Sequence, residues 1–233
     1  MEVLTKEQFN AIQLAMIKTA LKQVECKVFV DVGAYNGGFS LPLAAEFPLV
    51  RFHLLEPDPV NYLVLSEASK GFSNVDIHRV AIGSHNGTVK LYVADNRKSL
   101  GSSQANSVFR TFLSEKDWVT DVKQEVVSCM TLGSFCRLES IRSVCVLKIN
   151  CEGGEYELFS SGDVSILGSC HLLSLQLHGK CKTFQTPLFQ KKRKTIDECL
   201  TVFGMEMVSE FTKGIEKDHI RQVWLRNVSG CFS

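Results

Sequence analysis

Short apolar runs that end in turns alternate with stretches of helical period, and this alternation constrains the fold more than any other feature of the chain. Lys27–Asp31, Val50–Leu55 and Val75–Val80 have the composition of buried strands. Between them, residues 39–47 and 60–70 suit helices, with Pro42 in a first turn and Gly71 as a stop. Strand, helix, strand, helix, strand predicts a parallel sheet with helices on its faces. Ahead of it, residues 5–25 carry Phe9, Ile12, Met16, Ile17, Ala20, Leu21 and Val24 at helical spacing. That helix is expected to cover one side of the sheet or of a pocket.

The rhythm then changes. Asn86-Gly87, between Ile82 and the run Val89–Val93, predicts a hairpin. Residues 95–120 are polar and turn-rich, as in a long functional loop. A strand over 125–131 and a helix to about 138 follow, then a buried strand over 144–149, a turn over 150–155 and a short helix over 156–159. A strand over 172–177 ends at His178, residues 195–203 suit a helix, and 205–211 with 221–226 predict a closing antiparallel pair. No repeat or linker interrupts the 233 residues, so a single domain is expected: an N-terminal helix over 1–25, a core over 27–178 and closing elements over 179–233.

Composition excludes several classes. Against 25 Asp and Glu stand 26 Lys and Arg, a net charge of +1, which is no electrostatic footprint for nucleic acid. Nine cysteines, an odd number with no C-x-x-C spacing, are scattered through apolar runs as small hydrophobes, which suits a reducing compartment. No secretory leader and no apolar run of about 18 residues is present, so the expectation is a cytoplasmic protein with no membrane partner. Cys170 and His171 are separated from His178 and Cys181 by a strand's length, roughly 20 Å, so no metal site is expected there.

The chemistry begins at Asp31-Val-Gly33-Ala34-Tyr35-Asn36-Gly37, where a strand opens into a glycine turn and then a helix. Such a turn lets a ligand approach the backbone at the carboxyl ends of parallel strands, with free N–H groups beyond it. A dinucleotide fingerprint needs a glycine where Tyr35 stands. A strand-end carboxylate at Asp31 would repel a pyrophosphate and attract an ammonium group. Glu56, 25 residues on, ends the second strand where ribose hydroxyls are held in folds of this kind. The two acids favour an adenosyl cofactor without phosphates, and S-adenosylmethionine has that chemistry.

At this point the sequence resembles the FkbM-type methyltransferases. The matching segments, in the family's order, are Asp31–Gly37, Leu55-Glu-Pro-Asp-Pro59, Val80-Ala-Ile-Gly83, Gly101-Ser-Ser103 and Leu147-Lys-Ile-Asn-Cys-Glu-Gly153. The resemblance spans about residues 27–178 and implies a Rossmann-like class I methyltransferase α/β fold. That fold is a mostly parallel seven-stranded sheet with an antiparallel terminal strand. The resemblance also implies S-adenosyl-L-methionine as cofactor, held by Asp31, Gly33, Ala34, Tyr35, Asn36, Gly37, Glu56, Pro57 and Asp58, with Ala81 beside the adenine and Ser102 and Ser103 approaching it.

Two positions depart from the family. Asn150 and Gln176 stand where it usually has Asp and Glu. An amide keeps the shape of the acid but cannot act as a general base. The catalytic candidates on the rim are therefore Lys148, Glu152 and His178, with Asn150 in an orienting role. The expected activity is methylation of a hydroxyl on a small molecule or sugar. Two alternatives stand beside it: an RNA or cap 2′-O-methyltransferase, supported only by the basic run Lys191–Lys194, and a non-catalytic cofactor-binding protein, suggested by the two amides. The sequence leaves the acceptor and the oligomeric state undefined.

Overall fold

The computed structural model describes residues 5–94, 122–178, 186–212 and 219–226. Helix α1 (Lys6–Gln23) starts at a capping box in which Thr5 and Gln8 exchange side-chain and backbone hydrogen bonds. It leads to β1 (Val28–Val32), α2 (Ser40–Glu46), β2 (Arg51–Leu55), α3 (Pro59–Ala68) and β3 (Val75–His78). Asp58 caps α3 through the N–H groups of Val60 and Asn61, and Pro59 occupies the first turn, where its missing N–H costs nothing. Then come β4 (Ala81–Ile82), β5 (Gly87–Ala94), β6 (Val122–Met130), α4 (Leu132–Leu138), β7 (Val144–Ile149) and α5 (Glu155–Ser160). The chain closes with β8 (Cys170–His178), α6 (Pro187–Val202), β9 (Met205–Thr212) and β10 (His219–Arg226).

The main sheet has the order β3-β2-β1-β7-β8-β10-β9. Neighbours from β3 to β8 are parallel, and β10 runs antiparallel to both β8 and β9. The antiparallel strand is thus last in the chain but lies inside the sheet, where it can pair on both sides. Every residue of β7 is buried, because helices cover both faces. On one face Val30, Leu55, Leu147, Leu175 and Trp224 share a core, and on the other Phe29, Phe52, Val146, Leu172 and Val223 share a second. The strand order reverses between β1 and β7, and a crevice at such a switch point is where ligands bind in open α/β sheets.

Two expectations are corrected. Asn86-Gly87 does not close a hairpin between its flanking runs: β4 and β5 lie on opposite sides of β6, Ala81 and Gly87 both facing Cys129, in a separate three-stranded sheet. The Asn86 side chain is instead used across the chain, accepting from Thr131 N–H at 3.0 Å and donating to Ser134 at 3.0 Å. The last helix begins at Pro187 rather than 195, because Thr186 caps it by accepting from Phe189 N–H. The basic run therefore lies within the helix. The whole predicted loop over 95–120, Ser102 and Ser103 included, falls outside the described residues.

Candidate functional site

The turn after β1 is built on the neighbouring strand ends. The N–H groups of Gly33 and Ala34 both donate to Leu55 O at 3.0 Å, and Asn150 N–H donates to Val32 O at 2.9 Å. Gly33 has φ +85°, and a Cβ there would lie 2.0 Å from Asn150 O. Position 33 therefore needs glycine for both backbone angle and space. Tyr35 is also left-handed, with φ 55°, which aims its N–H at Glu56. Asn36 accepts from Gly38 N–H at 3.0 Å, and Gly37 at φ +79° packs against Leu41 and Leu65.

Asp31 does not face the open site. It is fully buried, and its carboxylate accepts from Lys148 Nζ at 2.6 Å and from Ser40 Oγ at 2.6 Å. Each of its oxygens thus accepts one hydrogen bond from within the protein. Lys148, 8% exposed, spends its charge on that pair and lies over the Phe39 ring. The lysine in an apolar strand is thus paired as a buried counter-ion.

Glu56 is a buried hub. Its carboxylate accepts from Tyr35 N–H at 2.9 Å and Asp58 N–H at 3.0 Å. Burial pushes it up to about 7, and those two N–H groups counter the shift only in part. Asp58 serves chiefly as the cap of α3, and Pro57 bridges the two acids in the chain.

A second polar cluster lies at the ends of β7 and β8. His178 Nδ1 meets Glu155, its Nε2 lies 3.3 Å from Glu152, and the Gln176 amide is 2.8 Å from Nε2. Tyr156 holds the strand end by donating its hydroxyl to His178 O at 2.8 Å. Burial alone would pull His178 down, but the carboxylates of Glu155 and Glu152 outweigh it and push the ring up to about 10. The ring is thus held between the two carboxylates. Glu152 is 21% exposed, in a left-handed turn at φ 51°.

A cavity of about 510 Å³ opens above β1, β7, β8 and β10, between α1 and α2. Gly33, Ala34, Tyr35 and Asn36 line one end, Lys148 and Asn150 the middle, and Gln176 and Arg221 the other end. Asn150 Oδ1 is buried with no hydrogen-bond partner. Ala81 lines a separate cavity of about 250 Å³ with Ile82, Gly83 and Glu157. Glu56, Glu152 and His178 stand beside the larger cavity rather than in its lining.

Sequence reasoning missed Ser40, Asn61, Glu155 and Arg221. Ser40 and Glu155 begin short helices directly after the two glycine turns, a placement that could have flagged them. His53, His78 and Glu139 also come together, away from the larger cavity, with His53 Nδ1 and His78 Nε2 bonded to each other at 3.2 Å. In the basic run Arg193 pairs with Glu210, Lys194 with Glu198, and Lys192 lies over the Tyr156 ring. Among the described residues, no helix is long and apolar enough to cross a membrane.

The family model for the methyltransferase FkbM domain matches residues 31–203. Among solved structures, the METTL16 MTase domain aligns with a TM-score of 0.52 at 12% identity, covering 97% of this chain and 70% of that one. A second crystal form of it gives 0.50 at 13% identity, with 97% and 71% covered. The precorrin-6y C5,15-methyltransferase of Geobacter metallireducens aligns at 0.45 with 12% identity, over 97% and 91%. A search of curated protein sequences finds no significant match.

Proposed function

Since this chain belongs to the FkbM methyltransferase family and has the class I Rossmann-like fold, we propose that it methylates a hydroxyl oxygen of a small molecule. Dependence on S-adenosylmethionine comes with the family. When bound, that cofactor supplies an electrophilic methyl group on a sulfonium. The observation that carries the reading is the contact between the Gly33 turn and Asn150, which leaves a buried, unpartnered Asn150 Oδ1 at the switch point. A bare acceptor oxygen beside a glycine turn fits a ligand that brings an ammonium, as this cofactor does. Glu56, already organised by Tyr35 and Asp58, keeps lone pairs for ribose hydroxyls.

The chain's own residues then divide the work. The turn positions one reactant, and the cavity beside it orients the other, which is where most of the rate in such a transfer arises. Lys148 is committed to Asp31 and the His178 ring is held between two carboxylates; Glu152, the more exposed of the two, is our candidate to take the hydroxyl proton. His178 holds Glu152 in place and is itself held by Glu155. Asn150 orients by hydrogen bonding and needs no charge for that role.

Methyl transfer from labelled cofactor, on an acceptor identified from cell extract, tests this reading. Glu152→Gln should slow turnover by roughly 10²–10⁴-fold, the span for loss of a general base. Asn150→Asp should leave turnover within about threefold, since orientation survives the change. Full activity in Glu152→Gln would remove that residue from the chemistry. A large gain in Asn150→Asp would make position 150 the natural place for the base.

A further inference from the structure

Three cationic side chains line the large cavity, and two of them have internal counter-ions. Lys18 pairs with Glu46 at 2.5 Å and Lys148 with Asp31 at 2.6 Å. Arg221 has no carboxylate partner among the described residues. Its Nη1 donates to Asn10 Oδ1 at 2.8 Å, while its Nε is buried without any hydrogen-bond partner. Arg226, on the same strand, shows the contrast: it donates to the carbonyls of Cys170, Phe203 and Leu167. Arg193 likewise meets Glu210 at 2.5 Å and Asp197 at 3.6 Å. A guanidinium presents its N–H groups as a planar fork matched to an oxyanion, and a buried N–H left bare is costly.

Strand register places this arginine. Val32 pairs with Ile149, Ile149 with Leu175, and Gln176 with Arg221. Gly33, Asn150, Gln176 and Arg221 therefore follow one another across the carboxyl edge of the sheet, and all four line the cavity. Three strand spacings, roughly 14 Å, separate the strand of Arg221 from that of the glycine turn, and two spacings, roughly 10 Å, separate it from that of Asn150. The arginine stands at the acceptor's end of the cavity, away from whatever the turn holds.

We propose that Arg221 is a specificity-determining site for an oxyanion, a carboxylate or phosphate, carried by the methyl acceptor. The identification of the ligand as an acceptor rests on the methyltransferase reading; the anion site itself does not. Within the cavity the two internal ion pairs cancel, and the uncompensated charge is on Arg221. An acceptor that brings one oxyanion satisfies both that charge and the bare Nε.

Titration calorimetry of the full chain with inorganic phosphate, and separately with acetate, tests the site without any methyl donor. Saturable binding of at least one ion is expected in the wild type. It should weaken about tenfold or more in Arg221→Gln. Asn10→Asp should give a similar loss, because it supplies a carboxylate beside Nη1 while leaving the arginine in place. That second variant keeps the test decisive if Arg221→Gln folds poorly. The ion that binds more tightly names the anion class. Equal affinities in all three proteins, or no saturable binding of either ion, would overturn the proposal. With an acceptor in hand, Arg221→Lys should raise its KM while kcat stays within about twofold and cofactor affinity is unchanged. A wild type that bound phosphate but not S-adenosylmethionine would sink the methyltransferase reading alone.

Discussion

The carboxyl edge of the sheet has two halves that treat their polar groups differently. Over β1 and β2, the groups are paired internally: Asp31 with Lys148 and Ser40, Glu56 with Tyr35 and Asp58, and Asp58 with the first turn of α3. Over β7, β8 and β10, Asn150 Oδ1 and Arg221 Nε are buried without partners, as is Glu155 Oε2 at the start of α5. A buried polar atom without a partner costs about 1–3 kcal/mol. The first half satisfies these groups within the protein before any ligand arrives. The second half pairs His178 with Glu152 and Glu155 but leaves these single atoms bare. A fixed cofactor and an acceptor chosen by side chains would divide a site in this way.

The largest effect should come from breaking the committed half. Lys148→Ala leaves the buried Asp31 charge without its counter-ion and should lower folding stability by about 3–5 kcal/mol. Adding Asp31→Asn should recover much of that loss in denaturant titrations. If Lys148→Ala proves neutral, the pair is not holding β1 to β7 and the contrast between the halves weakens.

Glu56→Ala should act on both binding and folding. Loss of a charged hydrogen bond to a ribose hydroxyl should weaken S-adenosylmethionine by about 1.5–3 kcal/mol. The sequence alone assigned Glu56 only a role toward the ligand. The structure adds a folding cost, because Tyr35 and Asp58 N–H lose their acceptor. Calorimetric titration alongside thermal unfolding separates the two, and unchanged affinity would remove Glu56 from the site.

The same residue gives a smaller, pH-dependent signature. Its folded value of about 7 lies above its ordinary value of 4.5, so the stability it contributes is complete below 4.5 and is lost as pH rises toward about 7. Ribose hydroxyls donate to the ionised form, so cofactor affinity should rise between pH 6 and 8 and proton release should accompany binding. Glu56→Gln should flatten that dependence in buffers of different ionisation enthalpy. His178 has the opposite acid–base type. Its contribution is complete below its ordinary value of 6.5 and is lost as pH rises toward about 10. Chemical denaturation at pH 6.5 and 9.5 should therefore show the advantage of the wild type over His178→Gln shrinking at the higher pH.

Local signals made much of the molecule legible in the sequence. Helical spacing marked α1, apolar runs marked β1, β2 and β7, and the glycine pattern marked the turn after β1. These depend on residues within a few positions of one another, where backbone preference and capping act directly. The tertiary structure decided which distant groups meet. Asp31 and Lys148 are 117 positions apart, and only the adjacency of β1 and β7 makes them a pair. Asn86-Gly87 was a sound turn signal, yet β6 enters between its flanking strands because it can pair with both. Arg221 looked like one more charge in a closing strand. It became the open end of a ligand cavity because β10 inserts beside β8 and brings it opposite Gln176, and strand order of that kind is set by packing across the whole sheet rather than by any local stretch of chain.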